Sequence, residues 1–256
     1  MNIFLLKLIL TPTLIGMVSL AGRRWGAFIS GWLVGLPLTS GPICLFLALS
    51  HGESFGRDAA IGIMAGSVSQ SMVCLAYAWV CRSRSWPKAL LISLAVFGAV
   101  TLFFDACRLP VEWQFLLIIP ALFTIYRVMP PTAEIKVLPR GLPFWDIPAR
   151  MIVATLFVLG LTGVSEKLGP HMTGLLAPFP LYVLILSVFA HYFDGPETVN
   201  RILKGMLQGM FSFIIFFMII VKLIERLGIG MTFLLAITAA LGLQALIAWA
   251  RKRWNI

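Results

Sequence analysis

Charge is scarce in this chain. Asp, Glu, Lys and Arg make up 12% of its 256 residues, and none stands near the centre of any long apolar run. A proton-coupled carrier usually keeps a carboxylate or a histidine inside the membrane. Here Asp105, Glu112, Glu166 and Glu225 all lie near run ends. His191, beside Tyr192, Asp194 and Glu197, is the best protonation candidate, with a position among the headgroups as its plainer reading. The four cysteines (Cys44, Cys74, Cys81, Cys107) form no C-x-x-C pair and read as small packing residues. H-E-x-x-H, G-x-S-x-G, Walker A and zinc-spaced Cys/His clusters are all missing. The sequence therefore offers no catalytic residue, no metal site and no cofactor motif, and the chain reads as non-enzymatic.

Apolar residues are what the chain has. They make up 60% of it, and the mean hydropathy is +0.97, well above soluble domains, where roughly half the residues are apolar. A helix needs about 20 apolar residues to cross the hydrocarbon core, and the apolar runs here are continuous rather than alternating. They predict an all-α, polytopic membrane helical bundle with about nine spans, at 3–21, 26–49, 59–81, 88–106, 111–128, 150–165, 172–193, 202–224 and 229–250. The first run is helix-length and lacks the marks of a cleavable signal. The formal charge of +10 is topological rather than a nucleic-acid footprint: fourteen Lys and Arg fall on one side of the spans and six on the other. The positive-inside rule then puts the N-terminus outside and the C-terminus in the cytoplasm. Trp25, Trp79, Trp86, Trp113, Trp145, Trp249 and Trp254 fall near membrane boundaries as interfacial anchors, whereas Trp32 lies deeper.

Residues 31–69 recur without a gap as 174–212. Gly31, Leu33, Pro37, Leu38, Phe46, Gly52, Gly62, Gly66 and Ser69 reappear 143 positions later as Gly174, Leu176, Pro180, Leu181, Phe189, Gly195, Gly205, Gly209 and Ser212. Glycine and proline set backbone geometry, so shared composition alone does not keep them in register. The offset carries the first four spans onto the last four across five crossings, an odd number, so equivalent helices run in opposite directions. The expected plan is a 4+1+4 inverted-topology repeat: repeat 1 over 1–106, a linker helix with a Pro-rich basic loop over 107–149, and repeat 2 over 150–256. Inverted repeats are a recurring plan of secondary transporters, with the substrate site near the midplane where the repeats meet.

The candidate site follows from where helices must break. Span 2 holds Gly-Leu-Pro-Leu-Thr-Ser-Gly-Pro at 35–42, in which Pro37 and Pro42 lack an amide hydrogen and Gly41 cannot hold the helix between them. In span 7, Ala177-Pro178-Phe179-Pro180 does the same from the opposite direction. Freed backbone groups in lipid are tolerated only where protein or a water-filled cavity satisfies them. The predicted substrate-lining set is therefore Trp32, Pro37, Thr39, Ser40, Gly41, Pro42, Ser69, Gln70, Pro178, Phe179, Pro180, Tyr182, Gln208 and Ser212. Proline kinks bonded by nearby Ser and Thr are the alternative. The G-x-x-x-G pairs Gly62/Gly66 and Gly205/Gly209 read first as close helix packing.

Gly174-Leu175-Leu176-Ala177-Pro178-Phe179-Pro180 followed by Ala190-His191-Tyr192 resembles the signature of the GlpM family of small four-helix bacterial inner-membrane proteins. The resemblance is strongest over about 173–195. It departs by a helical turn of extra length before Ala190, and in the first half by Ala48-Leu49-Ser50-His51 where Ala-His-Tyr stands in the family. It implies a bacterial inner-membrane location and a fused, inverted pair of units. It implies no substrate, since the family has none firmly assigned.

The expected function is a secondary transporter or exporter of a small polar or anionic solute through a midplane cavity. A flippase of a lipid-linked substrate, or a non-transporting component of an envelope-polymer assembly, stands as the alternative. The implied partners are the substrate and the lipid bilayer, with no nucleic acid, and a homo-oligomer stays open. The sequence does not specify the substrate, the coupling ion or the direction of transport.

Overall fold

The computed structural model describes residues 3–25, 27–107, 110–132 and 145–254, and every regular element among them is helical. The elements are α1 (Ile3–Trp25), α2 (Ala27–Val34), α3 (Ser40–His51), α4 (Glu53–Val80), α5 (Trp86–Cys107), α6 (Val111–Val128), α7 (Asp146–Gly163), α8 (Ser165–Leu176), α9 (Leu181–Phe193) and α10 (Pro196–Trp254). Gly228, at φ 75° and ψ 169°, divides α10 into arms at 196–227 and 229–254. Residues 133–144 of the predicted linker, with Pro139 and Pro143, lie outside the described residues.

Four of these helices, α4, α5, α6 and α10, are long and apolar enough to cross a membrane. The pair α8 and α9, bent by 46°, adds a fifth candidate. The architecture is consistent with a helical membrane protein. Its centre and rim differ in burial: the most apolar window of α4 is 72% buried, that of α5 only 17%. Leu91, Leu102 and Phe103 of α5, Leu116 of α6 and Leu156 of α7 all face outward. Apolar patches of this extent are rare on soluble monomers and suit contact with acyl chains.

The two predicted breaks occur, and they share one hydrogen-bonding pattern. Leu36 N–H donates to the Leu33 carbonyl at 3.1 Å and Leu38 N–H to Leu36 at 2.7 Å. In the second break Phe179 N–H donates to Leu176 at 3.0 Å and Leu181 N–H to Phe179 at 2.7 Å. The short second bond in each closes a three-residue turn centred on Pro37 or Pro180, and the Pro180 angles (φ −79°, ψ 47°) are near those of an inverse γ-turn. One detail departs from the expectation. Pro42 lies inside the first turn of α3 rather than at the break; the amides on either side of it, Gly41 and Ile43, bond back to the Pro37 and Thr39 carbonyls at 2.9 and 3.0 Å, so the helix forms around it.

Beyond the breaks, α3 ends at Gly52 (φ 93°) and α9 ends just before Gly195 (φ 87°). That left-handed backbone favours glycine and turns the chain sharply into α4 and α10. The half-helix α2 packs on the first arm of α10, and α8 packs on α4. Both contacts run through glycine. A Cβ on Gly35 would stand 2.7 Å from Gly209 Cα, and one on Gly66 would stand 2.7 Å from the Pro178 ring. In lipid the drive for such association is close van der Waals packing rather than escape from water, so these approaches matter more than they would in a soluble bundle.

Candidate functional site

The site grows from two helix starts. α3 begins after Thr39 and α9 after Pro180, and neither start receives a side-chain capping bond. The first turn of a helix leaves amide hydrogens without helical partners and carries partial positive charge. The two breaks are joined directly: Ser40 Oγ donates to the Ala177 carbonyl at 3.1 Å, satisfying an acceptor at the end of α8.

Between the breaks lies a crevice enclosing about 10 Å³, about the space of a single water molecule. The first break contributes Leu36, Leu38, Thr39 and Ser40, and the second Phe179, Pro180, Leu181 and Tyr182. Val34 and Val183 lie at its margins, Gln70 reaches it from α4 and Phe213 from α10. No lining residue is charged. Gln70 is 8% exposed and its Oε1 has no hydrogen-bond partner. Such an orphaned buried acceptor costs about 1–3 kcal/mol. The walls differ chemically: Thr39, Ser40 and Gln70 present polar groups, whereas the residues 143 positions later, Tyr182, Val183 and Phe213, present mainly carbon. Phe179 is wedged outward between Phe97 of α5, 5.2 Å away, and Phe157 of α7, 5.7 Å away.

Six of the predicted site residues therefore meet in one place: Thr39, Ser40, Gln70, Phe179, Pro180 and Tyr182. Pro37 forms the turn beneath them, and a Cβ on Gly41 would touch Pro37 and Phe216 at 3.6 Å. Pro42 sits in the first turn of α3, and Pro178 packs on Gly66. Trp32 is half-buried on α2, and its indole N–H, also enclosed, lacks an acceptor. Ser69 and Ser212 are fully buried with hydroxyls that have no partner, and with Gln208 they fall outside the crevice lining. Sequence reasoning missed Val34, Leu36, Leu38, Leu181, Val183 and Phe213. The offset of 143 would have found Leu36, Val183 and Phe213, as counterparts of Phe179, Ser40 and Gln70.

One other cluster has an arrangement worth testing against catalysis. Ser165 Oγ lies 3.3 Å from His51 Nε2, and His51 Nδ1 lies 3.9 Å from Glu166 Oε1. Ser165 is fully buried, however, and its hydroxyl donates to the Thr162 carbonyl at 2.8 Å. The cluster ties the end of α3 to the start of α8 and presents no free nucleophile. His171 Nε2 lies 3.9 Å from Asp105 Oδ1, and His191 Nδ1 stands 3.5 Å from Tyr77 Oη. Among the described residues no group of three His, Cys, Asp or Glu could hold a metal ion. No protein-family model, curated protein or solved structure matches this chain.

Proposed function

We propose that this chain is a secondary transporter or exporter that passes a small polar or anionic solute through the crevice between its two broken helices. The observation that carries the reading is the convergence of both breaks, two helix starts without side-chain caps and the unpaired Gln70 Oε1 on one uncharged crevice. Broken helices whose half-helix ends meet at a shared site are a recurring device of carriers. In this reading the Ser40–Ala177 bond holds a closed state, since about 10 Å³ admits no solute.

The proposal includes the inverted 4+1+4 arrangement of nine spans. Its support is the matching of local geometry at positions 143 apart: the same turn bonds at Pro37 and Pro180, the same left-handed hinge at Gly52 and Gly195, and reciprocal packing of α2 on α10 and α8 on α4. It also includes a bacterial inner-membrane location with the C-terminus in the cytoplasm. The charge bias and the GlpM-like segment at 173–195 support that location.

Single cysteines at Thr39 and Phe179, in a background with Cys107 replaced by serine, test the reading. In a carrier both react with water-soluble maleimides, each favouring one side of the membrane as the crevice opens alternately. If neither reacts from either side, and membrane-soluble maleimides fail as well, the crevice is a packing defect and the proposal falls.

A further inference from the structure

A second hollow opens on the face formed by α1 and α7. It measures about 430 Å³ and is walled by Leu8 and Pro12 of α1 and by Met151, Thr155, Leu156 and Leu159 of α7. Its single hydroxyl is already engaged, Thr155 Oγ1 donating to the Met151 carbonyl at 2.7 Å. The groove offers only apolar contact, and Ile152 and Leu156 in its wall are each exposed by 60% or more. Acyl chains fit this surface and water does not.

The groove reaches the crevice through two side chains. Met151 packs against a small cluster of Ala154 and Tyr182, together with Val34 and Leu181, and Tyr182, Val34 and Leu181 are walls of the crevice. Met151 also rests beside Gly16, its Sδ 3.4 Å from where a Cβ would stand. An unbranched thioether with three rotatable bonds can change its packing without moving backbone. One flexible methionine and one tyrosine thus separate a lateral apolar groove from a polar crevice that holds an unsatisfied acceptor, Gln70 Oε1.

We propose that the transported molecule is an amphiphile dissolved in the membrane, which reaches the crevice sideways. Its apolar tail occupies the α1–α7 groove, its uncharged hydroxyl- or amide-bearing head docks at Gln70, and Met151 gates the passage between them. The inference rests on the reading of the crevice as a transport site and narrows it. The two compartments are neighbours, linked through Met151 and Tyr182, and opposite in polarity, as the two ends of an amphiphile are. The crevice lining has hydroxyls and a carboxamide to meet a neutral head, but no charged side chain to balance an ionic one.

Two photoreactive alkyl glucosides test this in phosphatidylcholine vesicles containing the full chain, one with a diazirine on the sugar and one with it at the chain end. The expected result is chain-end labelling on Leu8 and Leu156 and sugar labelling around Thr39 and Gln70, both suppressed by excess unmodified octyl glucoside. Met151→Trp fills the passage and should reduce sugar labelling about tenfold, while labelling of the outer face of α5 stays constant. Leu156→Trp, at an exposed position of the groove, repeats the test if Met151→Trp does not fold. Sugar labelling that never reaches the crevice, or that survives both substitutions, overturns the proposal. If Thr39→Cys is alkylated by an aqueous maleimide at the same rate with and without Met151→Trp, access is through water: lateral access falls and the transporter reading stands. If cysteines at Thr39 and Phe179 resist both aqueous and membrane-soluble maleimides, both fall.

Discussion

A Cβ placed on Gly62 would lie 3.0 Å from the Cα of Gly174, and one placed on Gly174 would lie 2.9 Å from the Cα of Gly62. The two helices meet backbone to backbone, with no room for a methyl group. The same Cβ atoms would also strike the carbonyl oxygens of His171 and Ala59, which cannot rotate away as a side chain can. This contact holds α8, and with it the second break, against α4, the helix that carries Gln70.

Gly62→Ala and Gly174→Ala should each therefore destabilise the fold by about 1–3 kcal/mol, the usual cost of overpacking. Thermal unfolding followed by tryptophan fluorescence in detergent reads the effect. Gly98→Ala is the control: nothing lies within 4 Å of a Cβ there, and alanine in a helix interior gains up to about 1 kcal/mol. A Gly62→Ala protein as stable as the parent would contradict the close contact.

Pro37 and Pro180 each centre a tight turn that ends one half-helix and starts the next. Replacing either with alanine restores an amide donor and lets the helix extend through the break. Transport normalised to folded protein should fall for each single variant while membrane insertion persists. Full activity in the double alanine variant would make the prolines mere kinks and remove the proposed site.

Gln70→Leu separates stability from function. The leucine removes an acceptor that has no partner, so the melting temperature should hold or rise. Binding of a polar group at the crevice should be lost with it. A variant that melts earlier and still transports would mean that Gln70 serves packing alone.

Thiol reactivity gives a direct test of burial. Cys44 and Cys74 are fully enclosed and Cys107 is exposed. Cys81, at the turn after α4, is buried as well, 3% exposed. The thiolate is the reactive form, and burial in apolar surroundings both suppresses it and bars the reagent. N-ethylmaleimide at pH 8 should add once per chain and not at all to Cys107→Ser. Two or more additions at pH 8, counted by intact mass, would show that the bundle is looser than described.

Much of the architecture was legible in the sequence because its determinants are local. Continuous apolar runs specify helices wherever backbone groups must bond internally, and α4, α5 and α6 fall close to the predicted spans. Proline and glycine act on their own peptide bonds, so the breaks at 35–39 and 177–180 could be read before any packing was known. Pro42 was misjudged because proline's effect depends on its distance from a helix start, and that start is fixed by the turn at Pro37.

Only the tertiary structure decided which of these residues meet. Ser69 shares α4 with Gln70, Gln208 and Ser212 share α10 with Phe213, and Trp32 lies on α2 just before the first break, yet all four stay out of the crevice lining. The direction of a side chain on a packed helix depends on the crossing of its neighbour, and here glycine contacts such as Gly35 with Gly209 set that crossing. The Ser40–Ala177 bond, 137 residues apart in sequence, and the passage from Met151 to Tyr182 exist only once both halves are packed. Proline and glycine in the sequence determined where the chain breaks, and the packing of distant helices decided what those breaks enclose.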